Sequence, residues 1–271
     1  MKTECLRAAG IWVDSDRVSS LKEFGIILYS GEITGMLGLV GSGITVVADA
    51  LSGRKKLEKG QIYMDHTPVQ IRGMAQAEKM GIYVISEKTI FLDDLRLEEN
   101  LCLSQRQESM GITFPSEKQI SRIRRCMEEL KIQLKLKEYP KKLGSLECHL
   151  AEILRAYLMG CRILILNHIA NRYTRKELEK LKDVLDLLKE KGIAILLLES
   201  SCERVCKGTD SLYVLRGGRV EGIFERKEYD PGKIKRVMLG DYEIPDTQKT
   251  QFFYENDKTL LLEARGLEST A

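Results

Sequence analysis

The chain has 271 residues, with 43 lysines and arginines against 40 aspartates and glutamates, so its formal net charge is +3. Hydrophobic residues make up 43% and charged residues 31% of the chain, a composition typical of a folded globular protein. Positive and negative residues are interleaved, which argues against a nucleic-acid partner. The longest aliphatic run, Ile193–Leu198, is too short for a membrane helix. Seven cysteines in a chain of this length do not make a disulfide framework.

Short apolar runs alternate along the chain with longer amphipathic segments, the pattern of a parallel sheet covered by helices. The predicted strands, in chain order, are Ile33–Val40, Gly81–Ile85, Ile163–Leu166, Ala194–Leu198 and Leu212–Leu215. A mostly helical region is expected from about 90 to 160, and a polar linker from 241 to 257. The sequence therefore predicts an α/β fold.

The first of these strands leads into a glycine-rich loop and then a segment that can be helical. Gly38 and Gly43 hold the glycine positions of the phosphate-binding pattern G-x-x-x-x-G-K-S/T, and Gly41 is an additional glycine. Such a loop turns its N–H groups towards a phosphate, and the helix N-terminus favours an anion. A tight strand–helix turn without a ligand is the alternative. The candidate nucleotide-binding residues here are Gly38, Gly41, Ser42, Gly43, Ile44, Thr45 and Val46.

One position of this loop departs from the pattern. Ile44 stands where the pattern has lysine, so the cation that would pair with the β- and γ-phosphates is absent. Thr45 stands where a hydroxyl would bind Mg²⁺. The loop therefore keeps the backbone features of a phosphate site but lacks its charged side chain.

The helix between the third and fourth predicted strands has marked ends. Thr174 and Glu177 have the spacing of a capping box, and Gly192 supplies a stop. Apolar residues at helical spacing form one stripe between them, namely Leu178, Leu181, Val184, Leu185 and Leu188. The pattern predicts a helix that packs one face against the sheet.

Several stretches resemble, in the right order, the nucleotide-binding subunits of ATP-binding cassette (ABC) importers, most closely the carbohydrate (ribose/galactose-type) branch. They are Tyr29–Gly43, Lys59–Asp65, Gly81–Lys88, Phe91–Asn100, Gly217–Val220 and Asp230–Gly240. The resemblance covers residues 1–240. It implies a P-loop (RecA-like) ABC ATPase core, an antiparallel β element near the N-terminus, a helical subdomain at about 90–160, and ATP with Mg²⁺ as ligands.

The resemblance also implies roles for single residues. It places Glu87 near the metal and Trp12 where an aromatic side chain stacks on adenine; packing or a subunit contact is the alternative for Trp12. The family's metal-binding aspartate and catalytic glutamate correspond here to Asn167 and His168. Asn167 is a poorer Mg²⁺ ligand because it is neutral. His168 is the candidate catalytic base, since an unperturbed histidine pKa is about 6.5; a polar residue left after loss of catalysis is the other interpretation.

The signature loop, LSGGQ in the family, is also altered. The matching segment Leu143–Glu147 reads Leu-Gly-Ser-Leu-Glu, so Leu146 and Glu147 would bring bulk and negative charge towards phosphate. The family's switch histidine corresponds to Ser200. Because phosphoryl transfer depends on positioning and charge stabilisation, we expect hydrolysis at least ~1000-fold below that of an intact cassette.

The expected role is a catalytically impaired half of an asymmetric cassette pair in a carbohydrate importer. Its partners would be a second nucleotide-binding domain, a transmembrane permease and, indirectly, a sugar-binding protein. The expected location is cytoplasmic and peripheral, on the inner face of the membrane. Two alternatives stay open: a non-transport regulatory or scaffold module, and an active ATPase with His168 as base. The sequence does not identify the sugar.

The last residues of the chain repeat the first. Lysine, threonine, leucine, alanine and glycine recur at the same relative positions in segments 2–11 and 258–267. We expect a nucleotide-binding domain over 1–240, a linker over 241–257, and the opening strand of a second, truncated cassette over 258–271. Two unrelated strand openings are the alternative.

Overall fold

The computed structural model of the protein describes residues 2–14, 20–103, 115–201 and 208–240. The chain divides into two compact units, 1–240 and 241–271. The second unit lies outside the described residues, so the expected linker and the expected opening strand stay predictions. No helix within the described ranges is long and apolar enough to cross a membrane.

The described residues form ten strands and seven α-helices. The strands are β1 Glu4–Val13, β2 Leu21–Tyr29, β3 Ile33–Gly38, β4 Lys59–Met64, β5 Thr67–Val69, β6 Ile82–Ser86, β7 Ile163–Asn167, β8 Ala194–Glu199, β9 Ser211–Arg216 and β10 Arg219–Glu225. The helices are α1 Ile44–Leu51, α2 Met74–Lys79, α3 Leu97–Leu103, α4 Glu117–Glu129, α5 Ser145–Leu158, α6 Arg175–Glu190 and α7 Pro231–Leu239. Short 3₁₀ turns cover Pro140–Lys142, Ile169–Arg172 and Arg226–Glu228.

Six strands form a central sheet in the order β10-β9-β3-β8-β7-β6. The five strands from β9 to β6 are parallel, and β10 pairs antiparallel with β9. All six residues of β3 are buried, as expected for a strand with neighbours on both sides and helices on both faces. β3 ends at Gly38, two residues before the predicted end, because Leu39 and Val40 leave the sheet and are 41% and 99% exposed.

The remaining four strands form an antiparallel sheet in the order β2-β1-β4-β5. β1 is one of its two inner strands and pairs with β2 on one side and β4 on the other. Its inward side chains join one buried cluster with those of α1 and of the central sheet. The expected antiparallel element near the N-terminus is therefore confirmed, and it covers α1.

The predicted helical region contains α3, α4 and α5, and residues 104–114 within it lie outside the description. α4 starts with a capping box in which the Ser116 hydroxyl accepts from the N–H of Gln119 at 3.3 Å. α5 is buried over most of its length and packs with these helices in the second large core cluster. α6 has its predicted capping box, with 2.8 Å from Thr174 N–H to Glu177 Oε2.

Candidate functional site

The glycine loop lies at the carboxyl edge of the central sheet, between the end of β3 and the start of α1. Gly41 and Gly43 adopt positive φ values of 84° and 94°. A Cβ at Gly43 would lie 2.5 Å from the carbonyl oxygen of Ser20, so this position requires glycine. The predicted strand–loop–helix context of the phosphate-binding pattern is confirmed.

The backbone N–H groups of the loop differ in their hydrogen bonding. Within the loop, the N–H of Ser42 donates to the Leu39 carbonyl, and that of Val46 donates to the Gly43 carbonyl, each at 2.9 Å. The N–H groups of Gly41, Gly43 and Thr45 have no hydrogen-bond partner among the residues that the structure describes. Three unsatisfied donors at a helix N-terminus form a site that can accept phosphate oxygens.

Ile44 does not face the space where its lysine counterpart would meet phosphate. Its side chain is 3% exposed and belongs to the buried cluster that includes Met36 and Leu198. The first residue of α1 therefore contributes packing and a backbone N–H, which donates weakly to the Ser42 hydroxyl at 3.4 Å. The loop has no cation at this position.

Asn167 and His168 lie at the same edge, two strands away from the loop. Asn167 ends β7, in register with Ser86 on β6 and Leu198 on β8. Its Oδ1 atom is buried and has no hydrogen-bond partner among the described residues. This acceptor is thus both shielded from solvent and unsatisfied, which is uncommon in a folded protein.

His168 adopts a left-handed conformation with φ 55°, and its N–H donates to the Leu198 carbonyl at 3.0 Å. Burial lowers the pKa of its imidazole, against a smaller opposing effect of the Glu87 carboxylate. The ring is therefore neutral near pH 7 and able to accept a proton. Its Nδ1 lies 3.9 Å from Oε2 of Glu199, beyond hydrogen-bond distance.

Glu199 was not predicted as part of this region. It ends β8, is 4% exposed, and accepts the N–H of Ala170 at 3.2 Å. Its carboxylate thus holds the turn that follows His168. The only signal in the sequence is a charged residue directly after an aliphatic strand, a pattern common at strand ends.

A buried histidine connects three parts of the site. His149 on α5 is 1% exposed, and its Nε2 lies 3.1 and 3.2 Å from the carbonyl oxygens of Ser86 and Glu87. Its Nδ1 is hydrogen-bonded to the Tyr173 hydroxyl. Burial lowers the pKa of this imidazole, so it is neutral, with Nε2 donating and Nδ1 accepting. His149 therefore positions the backbone at Glu87.

The altered signature loop precedes α5. Leu146 is buried, so its bulk joins the core and is not presented to a ligand. Glu147 Oε2 accepts the N–H of Gly144 at 2.8 Å, so its carboxylate caps its own helix. These contacts within the chain are what the structure shows of the two side chains; their expected approach to a phosphate bound by an opposing subunit stays a prediction.

Trp12 lies on β1 of the antiparallel sheet, next to Val13, which pairs with Leu21 of β2. Its ring is half-buried, and the ammonium of Lys59 on β4 lies 5.5 Å from the ring centroid. The two residues are cross-strand neighbours. The Lys59 ammonium thus makes a cation–π contact with the indole. The adenine-stacking role of Trp12 stays a prediction.

The residues implied for Mg²⁺ do not fit that ion. Thr45 and Asn167 supply neutral oxygens, of which the Asn167 Oδ1 is shut off from solvent, and Glu87 is the one carboxylate of the three. Mg²⁺ gives up its water reluctantly and favours anionic oxygen. Within the described ranges there is no group of three or more His, Cys, Asp or Glu residues that could hold a metal ion.

A parallel sheet with a glycine loop at its carboxyl edge, an antiparallel sheet over α1 and a helical subdomain define a P-loop ATPase fold of the cassette type. Residues 21–170 match the ABC transporter family, and the chain belongs to that family. It is 28% identical to the ribose import ATP-binding protein of Clostridium perfringens (strain 13 / Type A) over 98% of this chain and 53% of that protein. It is 27% identical to the protein of the same name from Jannaschia sp. over 87% of this chain and 46% of that protein.

The chain spans about half the length of the curated relatives it matches. Among solved structures, the ADP conformation of an ATP-binding cassette of an ABC transporter superposes with a TM-score of 0.75 at 21% identity, covering 88% of this chain and 96% of that one. A dimeric bacterial ABC transporter cassette gives a TM-score of 0.67 at 15% identity, over 83% of this chain and 100% of that one. These likenesses confirm the predicted ABC ATPase fold.

Proposed function

We propose that this chain is the ATP-binding component of a carbohydrate-type ABC importer, with ribose as the first sugar to test. The observation that carries the proposal is the loop of residues 38–46. The backbone N–H groups of Gly41, Gly43 and Thr45, before and at the start of α1, have no acceptor among the described residues. The relatives named ribose import ATP-binding proteins support the choice of substrate class.

We further propose that this cassette is catalytically impaired. The cation position of the loop is an isoleucine packed in the core, and the metal and base positions are Asn167 and His168. Each such group contributes orders of magnitude to phosphoryl transfer, and their losses act on one transition state. Hydrolysis by the purified chain is expected at least ~1000-fold below that of an intact cassette.

In this proposal the chain works in an asymmetric pair, with a second nucleotide-binding domain completing one active site. The pair docks on a permease at the inner face of the membrane, and a sugar-binding protein acts through that permease. Residues 1–240 form the cassette, 241–257 a linker, and 258–271 the opening strand of a second cassette. ATP is the proposed ligand, held by the loop with Trp12 stacking on adenine.

The test is sugar uptake in a strain that lacks the gene, complemented with the wild-type chain or with a Gly43→Ala variant. Wild type is expected to restore ribose uptake, and the variant to restore less of it, because its shifted loop holds phosphate less tightly. Uptake that is independent of this gene, for ribose and for other pentoses and hexoses, contradicts the transport role.

One observation favours a second candidate function, an active ATPase that uses His168 as base. The imidazole is half-buried and held neutral by burial, the state that a base requires. A His168→Gln variant separates the two proposals. If turnover by wild type is measurable and the variant abolishes it, His168 is the base; if both rates are equally low, the cassette is impaired.

A further inference from the structure

We infer that this site binds the diphosphate part of a nucleotide without Mg²⁺, and that a third phosphate adds no affinity. The inference rests on the proposed nucleotide-binding function and concerns the species that the loop accepts. Its basis is a disagreement between the metal-assisted chemistry of the family and the residues at this edge of the sheet.

The groups that remain to bind phosphate all belong to the backbone. The N–H groups of Gly41, Gly43 and Thr45 have no partner within the described ranges, and Gly41 and Gly43 have the positive φ values of a glycine-rich turn. Together with the start of α1 they offer a partial positive charge of about half a unit. This attraction requires neither a cationic side chain nor a metal ion.

The groups that would neutralise a third phosphate are missing. Ile44 is buried in the core, so no ammonium can move to the phosphates from that position. Glu87 and Glu199, at the same edge of the sheet, are carboxylates and have the same sign of charge as phosphate. Each added phosphate therefore brings negative charge that the loop does not offset.

Mg²⁺ could offset the charge of a third phosphate, but the side chains at this edge of the sheet are poor ligands for it. The Asn167 amide is neutral, and its Oδ1 is closed to solvent. A hydrated Mg²⁺ ion would have to exchange water for a single buried amide oxygen, and that exchange gains little without an anionic ligand. Mg²⁺ bound to a nucleotide in solution then makes no direct contact with the protein that would raise the affinity.

The experiment is calorimetric titration of the full 271-residue chain with ADP and with ATP, each in EDTA and in excess Mg²⁺. We expect the ADP affinity to change by less than about threefold between EDTA and Mg²⁺, and ATP in EDTA to bind no more tightly than ADP. Circular dichroism on the same samples verifies that the chain is folded.

A gain-of-function variant tests the cause. Asn167→Asp restores an anionic ligand, and Mg²⁺ is then expected to tighten ADP binding by about tenfold. Gln133→Glu is the matched control, because it makes the same amide-to-carboxylate change at an exposed position remote in sequence from the loop. The control is expected to keep the metal-independent binding of wild type.

The outcomes separate the two proposals. Two results overturn this inference and leave the proposed nucleotide-binding function intact: Mg²⁺ tightens ADP binding by wild type more than about threefold, or ATP binds more tightly than ADP in EDTA. Absence of ADP and ATP binding at millimolar concentration overturns both. Metal-independent binding by wild type together with an unresponsive Asn167→Asp variant overturns the assignment to Asn167.

Discussion

The carboxylate of Glu152 on α5 accepts a hydrogen bond of 2.7 Å from the backbone N–H of Ile90, 62 positions earlier in the chain. Glu152 is 3% exposed, whereas the side chain of Ile90 is 57% exposed. An acidic group in the core thus holds a surface loop in place. Its burial has a consequence for how stability depends on pH.

Burial raises the pKa of Glu152 to about 7, despite the opposing Ile90 N–H and the Arg155 guanidinium. At pH values between the ordinary glutamate pKa and about 7, the carboxyl group keeps its proton in the folded protein and has lost it in the unfolded chain. Stability from this group is therefore present at low pH and lost as pH rises through about 7, a loss of about 3 kcal/mol.

Glu152→Gln is expected to abolish this loss. Urea unfolding at pH 5.5 and pH 8 covers about 2 kcal/mol of it, because the rest of the loss falls below pH 5.5; the gain of the variant over wild type is larger by that amount at pH 8. Glu179→Gln, at an exposed position on α6, serves as control and is expected to keep the wild-type dependence of the free energy of unfolding on pH. If the free energy of unfolding depends on pH in the same way for wild type and Glu152→Gln, the raised pKa of Glu152 is wrong.

The second prediction concerns the buried pair His149 and Tyr173. Tyr173→Phe leaves Nδ1 of the buried imidazole without its donor, at an expected cost of about 1–3 kcal/mol in the free energy of unfolding. Tyr157→Phe is the matched control, because that hydroxyl bonds to the partly exposed Glu129 and its loss costs less than about 1 kcal/mol. Equal losses in the two variants would falsify the special role of this pair.

The third prediction tests the shape of the glycine loop. Gly43→Ala meets the carbonyl of Ser20, so the loop must shift, and ADP affinity is expected to fall by about tenfold. Gly217→Ala is the control: Gly217 also has positive φ, but a Cβ there meets no atom within 4 Å. Calorimetry measures both affinities, and a similar loss in the two variants would show a general effect of backbone strain.

The fourth prediction uses Trp12, which is the one tryptophan in the chain and therefore the sole source of indole fluorescence. ADP is expected to quench this emission, and Trp12→Phe to weaken ADP binding by about fivefold through loss of stacking area. Tyr63→Phe on neighbouring β4 tests whether any aromatic change in this sheet has the same effect. Emission that millimolar ADP leaves unchanged rejects adenine stacking.

The central sheet could be predicted from the sequence because each inner strand is a continuous apolar run bounded by turn residues. The ends of α6 could also be predicted, since the Thr174–Glu177 capping box is a local pattern. The end of β3 could not be predicted, because Leu39 and Val40 are as apolar as the strand before them. Their exposure follows from the loop that they begin.

The phosphate loop could also be predicted, because its three glycines lie within six residues of the chain, directly after the apolar run of β3. His149, Glu152 and Glu199 could not, because they act through contacts with residues 63, 62 and 29 positions away. A polar residue within a helix or at a strand end has no local feature that shows whether it is solvated or buried. The burial of the Ile44 side chain could not be predicted either, because it depends on packing against residues from several strands.

The burial of Ile44 also sets what a lysine at this position would cost in stability. A lysine at this position must either leave the core to reach phosphate, opening a cavity where the isoleucine packs, or stay and bury its ammonium group. Both arrangements cost stability. An Ile44→Lys variant therefore requires compensating changes in the surrounding core before it can match the stability of the protein with isoleucine.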